Sequence, residues 1–138
     1  MNAIVAVDLN WGIGYNGDLL YRIKEDMKRF KMRTMNNVVV MGRKTFESLP
    51  NGKPLKNRMN IILSRQDVHY DYDNVIVMHS VEEVLDYCKD KETYCIGRTM
   101  IYKVAARCPH YVSYTKKIIC FIATALSAKL IKSVQLSY

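Results

Sequence analysis

The stretch Asn36-Asn37-Val38-Val39-Val40-Met41-Gly42-Arg43-Lys44-Thr45-Phe46-Glu47-Ser48-Leu49-Pro50 decides the fold. Val38 to Met41 are all apolar and three of them are β-branched, the pattern of a strand buried on both faces. Gly42 follows, then Arg43, Lys44, Thr45 and a short helical pattern that Pro50 stops. Strand, tight turn and helix start therefore fall within a few residues. In a parallel α/β sheet that turn lies at the carboxyl end of the strand, where ligands bind. Unpaired N–H groups, the helix dipole, two cations and a hydroxyl suit an anion, most simply a phosphate. The plainer alternative is a solvated helix start with two surface cations.

The arrangement repeats along the chain. Asn2 to Val7 read as a buried first strand. Asp8 to Tyr21 read as a loop in which Gly12, Gly14, Asn16 and Gly17 exclude a regular element. Residues 24–34 read as a helix, with Glu25 and Asp26 in its first turn, four cations after them, and Ile23, Met27 and Phe30 as its apolar stripe. Further strands are expected at Met59–Leu63, Val75–Met78 and Thr93–Ile96, and helices at 81–88 and about 100–106. Ser80 and Glu83 form a capping-box pattern ahead of the first of these helices. Alternating strands and helices predict an α/β fold, a mostly parallel sheet with helices on both faces. Three strand ends carry phosphate-like chemistry: Gly42-Arg43-Lys44-Thr45, Ser64-Arg65 and Gly97-Arg98-Thr99. Together they suit a dinucleotide with an extra ribose phosphate, although no G-x-G-x-x-G is present.

Composition sets the outer bounds. The 138 residues predict one domain, and 49% hydrophobic with 25% charged content is ordinary for a globular chain. The apolar start at Asn2 gives no secretory pattern. Cys88, Cys95, Cys108 and Cys120 show no C-x-x-C pair, so a reduced cytoplasmic setting and no metal site are expected. The net charge of +8 raises the possibility of nucleic acid. Residues 1–92, however, hold 14 Lys and Arg against 13 Asp and Glu, whereas residues 93–138 hold seven cations and no acid. The excess belongs to the C-terminal third and follows no nucleic-acid motif. Ile118 to Ala128 is apolar but too short to span a bilayer.

At this point a family resemblance emerges. Its residues are Ile4-Val5-Ala6-Val7, Gly12-Ile13-Gly14 with Asn16-Gly17-Asp18-Leu19-Leu20, Glu25-Asp26-Met27-Lys28-Arg29-Phe30-Lys31, Val40 to Ser48, Leu55, Arg58-Met59-Asn60-Ile61-Ile62-Leu63-Ser64-Arg65, and Cys95-Ile96-Gly97 with Ile101-Tyr102. The chain resembles dihydrofolate reductase over residues 1 to about 104. The resemblance implies a single domain on an eight-stranded sheet that reduces 7,8-dihydrofolate with NADPH. It also implies a cytoplasmic monomer, open to antifolate inhibitors, with no nucleic-acid or membrane partner.

Residue roles follow by the same resemblance. Asp26 would hold the pteridine and assist protonation of its N5, with Tyr21 and Thr115 completing the catalytic group. Arg58 would pair with the α-carboxylate of the folate glutamate, since a guanidinium offers two parallel donors. Ile4, Val5, Met27, Phe30, Leu49, Leu55 and Ile96 would wall the pterin and aminobenzoyl pocket. Ala6 and Ile13 would face the nicotinamide carboxamide, and Tyr102 would line the nicotinamide site. Gly42, Arg43, Lys44, Thr45, Leu63, Ser64, Arg65, Gly97, Arg98 and Thr99 would hold the remaining cofactor, with Ser64 and Arg65 nearest the 2′-phosphate.

Some positions depart from the family pattern. Tyr21 stands for the usual tryptophan and Leu20 for the usual proline. Arg98 replaces the second glycine of a Gly-Gly pair that presses on the cofactor pyrophosphate. After about residue 104 the pattern fades, and the acid-free composition from Thr93 onward predicts a shifted reading frame or an unusual truncation there. The competing readings are an impaired reductase fold that at most binds folate or NADPH, a basic nucleic-acid binder, and a related pyrimidine reductase.

Overall fold

The computed structural model describes residues 1–4, 14–15, 18–19, 24–97 and 101. Seven strands and three α-helices occur among them. The strands are β1 (Asn2–Ala3), β2 (Gly14–Tyr15), β3 (Asp18–Leu19), β4 (Val38–Gly42), β5 (Met59–Leu63), β6 (Val75–Met78) and β7 (Thr93–Cys95). The helices are α1 (Lys24–Thr34), α2 (Arg43–Glu47) and α3 (Val81–Tyr87). A short 3-10 turn, Pro50–Gly52, follows α2.

Five strands make one sheet in the order β1-β7-β4-β5-β6, and every pairing in it is parallel. The expected parallel α/β sheet is thus present, with the opening stretch at its centre. Val39, Val40 and Met41 are fully buried and Val38 nearly so. The two-residue strand period sorts these side chains onto opposite faces. Val38, Val40, Ile61 and Cys95 point to one face, where Val84 and Cys88 of the α3 segment cover them. Val39, Met41, Ile62, Tyr94 and Ile96 point to the other, under Phe46 of α2 and Phe30 of α1. Helices therefore cover both faces, as the pattern required.

Element boundaries match the expectations closely from α1 to β7. The capping box forms: the Glu83 N–H donates to Ser80 Oγ at 3.2 Å, and Ser80 Oγ donates to Glu83 Oε1 at 2.7 Å. The other Glu83 oxygen accepts from the His79 N–H, one residue before the cap.

One expectation fails inside the 8–21 segment. Instead of irregular loop only, β2 and β3 pair antiparallel, with Gly14 opposite Leu19 and Tyr15 opposite Asp18. Residues 16 and 17 lie outside the described residues; in the sequence they read Asn-Gly, a pair favoured between hairpin strands. Gly17 breaks a helix pattern but, after Asn16, is equally part of a hairpin signal. Residues 5–7, the expected helix 100–106 apart from Ile101, and Ile118–Ala128 lie outside the described residues. Among the described residues no helix is long and apolar enough to cross a membrane, and no three His, Cys, Asp or Glu side chains group as metal ligands.

Candidate active site

Helix α1 supplies one wall of the site. Of the predicted stripe of Ile23, Met27 and Phe30, Phe30 faces inward, Met27 does not, being 45% exposed and in neither core cluster, and Ile23 lies outside the described residues. The residues turned inward are Asp26, Phe30 and Thr34, spaced by four and therefore stacked along one side of the helix. The hydrophobic pattern misled because two of the three members of this line are polar. Asp26 is half-buried, and burial pushes its carboxyl above the ordinary value of 3.8, partly opposed by the Arg29 cation. Its first-turn position on α1 works the other way, since the helix dipole favours the carboxylate.

At the far end of this line, Thr34 is fully buried. Its hydroxyl donates to Phe30 O at 2.8 Å and accepts from Arg58 Nη1 at 3.0 Å. Arg58 Nε donates to Lys56 O at 3.0 Å, and its guanidinium carbon lies 5.9 Å from the centre of the Phe30 ring. The fork is held at three points. No carboxylate pairs with it among the described residues, so an anionic partner has donors left to meet. Burial pulls the Arg58 pKa down, which removal of water from an uncompensated cation explains.

Between these ends lies apolar surface. Ile4, Phe30, Leu49 and Leu55 all pack against the cluster that contains Ile96, so five of the expected wall residues share one face of the sheet. Ile4 N–H donates to Cys95 O and Ile96 N–H to Val40 O, which ties β1, β7 and β4 together beneath them. Val5, Tyr21 and Thr115 lie outside the described residues.

The second part of the site is the carboxyl rim of the sheet. Gly42 ends β4 opposite Leu63, and Leu63 pairs with Met78. Arg43, Ser64 and His79 thus begin on neighbouring strand ends. Arg43 Nε sits 3.4 Å from Glu47 Oε1, and its Nη1 donates to Gln66 Oε1. Arg43 is thereby engaged already, whereas Lys44 and Arg65 stand exposed. The Ser64 hydroxyl donates to Gln66 O and accepts from Gln66 N–H, each at 3.1 Å. His79 Nδ1 lies 2.8 Å from Ser64 O. A carbonyl only accepts, so that nitrogen carries a proton.

Gly97, at the end of β7, meets the first turn of α2. Its φ is +110°, and a Cβ placed there would come within 2.5 Å of Thr45 Oγ1. Two of the three phosphate-like stretches are therefore in direct contact. Ala6, Ile13, Arg98, Thr99 and Tyr102 lie outside the described residues, and so does the Gly97–Arg98 junction. Ile101 packs over Gly42.

Sequence reasoning gave no role to Thr34, Asn60, Gln66, Asn74 and His79. Thr34 could have been found from its spacing to Asp26 and Phe30. The others act through main-chain carbonyls and loop contacts that no spacing encodes.

Comparison with known proteins agrees with this geometry. The family described as dihydrofolate reductase matches residues 1–123, past the point near 104 where its motifs cease to be readable. A putative dihydrofolate reductase of Caenorhabditis elegans is 40% identical over 122 residues, covering 78% of this chain and 65% of that protein. The dihydrofolate reductase of Mycobacterium leprae is 42% identical over 95 residues, covering 67% of this chain and 57% of the relative. A bifunctional dihydrofolate reductase-thymidylate synthase of Paramecium tetraurelia is 39% identical over 102 residues, 72% of this chain and 21% of the relative. This chain thus spans less than two thirds of each. The solved dihydrofolate reductase from Enterococcus faecalis, complexed with NADP(H) and RAB-propyl, superposes with a TM-score of 0.65 at 39% identity, over 73% of this chain and 60% of the other. Sequence motifs, sheet order and these likenesses converge: the chain belongs to the dihydrofolate reductase family.

Proposed function

We propose that this chain, as one domain, reduces 7,8-dihydrofolate to 5,6,7,8-tetrahydrofolate with NADPH. The observation that carries the reading is the line along α1. A half-buried acid with a raised pKa, an aromatic ring and a threonine-held guanidinium follow one another at residues 26, 30 and 34 with 58. Eight residues of helix rise about 12 Å. That spacing suits a ligand with a polar heterocycle at one end, an aromatic middle and a carboxylate at the other.

The residues at the rim fit a phosphorylated dinucleotide. Lys44, Thr45, Ser64 and Arg65 bring cations and hydroxyls to adjacent strand ends, and Gly97 lets two of these loops approach closely. The reaction places a proton on N5 and a hydride on C6 of the substrate, and NADPH, when bound, is the hydride source. The residues of this chain bind, orient and handle the proton. Asp26 accepts hydrogen bonds from the pterin N–H groups, and its raised pKa keeps a protonated fraction nearer neutral pH. Ile4, Phe30, Leu49, Leu55 and Ile96 exclude water from the ring, and Arg58 takes the carboxylate on two of its three remaining N–H donors.

Asp26→Asn is the test. Hydride transfer at neutral pH should fall by about a hundredfold or more, the scale of a positioned acid. A variant with near wild-type rates across pH 6–8 would remove Asp26 from the mechanism.

A further inference from the structure

The loop that presents Arg58 is fastened in an unusual way. Leu55 O accepts from Asn60 Nδ2 at 3.0 Å and from Asn74 Nδ2 at 3.2 Å. Arg58 O accepts from the same two carboxamides, at 2.9 Å and 3.1 Å. Two side chains from different elements therefore grip the same two carbonyls, one on each side of the Lys56-Asn57 turn. Asn60 Oδ1 also accepts the Leu55 N–H at 3.0 Å, and Asn74 O accepts the Asn60 N–H at 2.8 Å. The turn itself holds Asn57 at φ +55°, and Asn57 O accepts from Asn36 N–H at 2.8 Å.

The cost of this arrangement argues that it has a use. Asn60 is fully buried, and carrying a carboxamide into the core is unfavourable unless every donor is met. A loop that only connected the 3-10 turn to β5 would need no such grip. What the grip does is fix the main chain on both sides of the Lys56-Asn57 turn. Arg58 then needs only its side chain to reach Thr34 and the Phe30 face. A guanidinium long enough to swing several ångströms is held in one place before any ligand arrives, which lowers the ordering cost of binding.

We infer that Asn60 and Asn74 are positioning residues for the carboxylate end of the substrate, acting through Arg58. The inference rests on Arg58 being the carboxylate anchor. It predicts that loosening the grip weakens ligands that carry the glutamyl carboxylate and leaves ligands without it unaffected.

The test is equilibrium binding by the full chain of folate and of a pterin lacking the aminobenzoylglutamate. Asn74 is the residue to change, because it is only half-buried and Asn60→Ala would strand buried groups. Asn74→Ala should weaken folate by roughly tenfold while pterin affinity stays within about twofold, and Arg58→Leu should do the same more strongly. In the Arg58→Leu background, Asn74→Ala should add little, since residues acting as one unit are not additive. If Arg58→Leu does not separate the two ligands, the anchor reading fails and this inference with it. If Arg58→Leu separates them and Asn74→Ala does not, or if the two losses add, the anchor stands and the positioning role is wrong.

Discussion

Gly97→Ala should be among the most damaging small substitutions in this chain. The backbone there has φ +110°, a region that L side chains rarely adopt. Holding a residue with a Cβ in such a conformation costs about 1–3 kcal/mol. The Cβ would also meet Thr45 at 2.5 Å from Oγ1, 2.9 Å from Cγ2 and 3.1 Å from Cβ. Rotating Thr45 offers little relief, because a β-branched residue in a helix has few rotamers, whereas its Cβ at 3.1 Å needs to give by only a few tenths of an ångström. Forced overpacking of this kind costs about 1–3 kcal/mol more. The total of about 2–6 kcal/mol is a large part of the 5–15 kcal/mol typical of a domain. Thermal and urea unfolding of the wild type, Gly97→Ala, Thr45→Ala and the double variant would measure it. The single Ala variant should melt at least about 8 °C lower. The double variant should regain the overpacking part but not the backbone part, because Thr45→Ala removes Oγ1 and Cγ2 and leaves φ unchanged. A Gly97→Ala protein that melts within a degree or two of wild type would refute the close approach. A double variant with no recovery would show that Thr45 is not what the new methyl meets.

Other perturbations probe other parts of the molecule. Arg65→Ala should lower the preference for NADPH over NADH by at least about tenfold, because a charge-assisted contact to phosphate is worth roughly 1.5–3 kcal/mol; unchanged affinities in a cofactor titration would place the 2′-phosphate elsewhere. Ser80→Ala should cost about 1 kcal/mol by removing the α3 cap. That loss should shrink in acid. The Ser80 hydroxyl, first among several hydrogen bonds, holds the Glu83 carboxyl below 4.5, so its contribution is present above that value and lost as pH falls through the folded one; a loss independent of pH between 3 and 7 would count against the reciprocal bond. Asp26 has the opposite sign. Its raised folded pKa means its ionisation works against folding above 3.8, so Asp26→Asn should gain stability relative to wild type as pH rises from 3 to 7, and a flat difference would contradict the burial of the carboxyl.

The frame of this fold was legible because each step was local. Val38 to Met41 are buried on both faces and could only be an inner strand, and Gly42 with Arg43 marks the turn that ends it. Ser80 and Glu83 announced a helix start three residues apart, and the cap forms as written. The pairing of β2 with β3 was equally local and escaped for a different reason: four breakers close together in sequence drown the one Asn-Gly turn signal between them. The polar stripe of α1 was missed because apolar spacing finds only apolar faces. Asp26 and Thr34 lie on the inward side although both are polar, and a polar residue on an inward helix face is a break of the kind expected at functional or strained positions.

What remained illegible is the part of the site built from main-chain carbonyls. Arg58 could be named by the family resemblance, but nothing in the sequence says that its guanidinium meets Thr34, 24 residues earlier, or that Asn74, 16 residues later, holds its carbonyl. These contacts depend on the sheet bringing the starts of β5 and β6 side by side and laying the end of α1 beside them. Asn60 pairs with Val75 in the register of that sheet, which carries Asn74 to the turn that precedes Arg58. The strand order is therefore what makes the site specific. The apolar strands decide which loops become neighbours, and only then do an asparagine, a threonine and an arginine with no sequence relation to one another become one hydrogen-bonded group, the group proposed above to meet the substrate carboxylate.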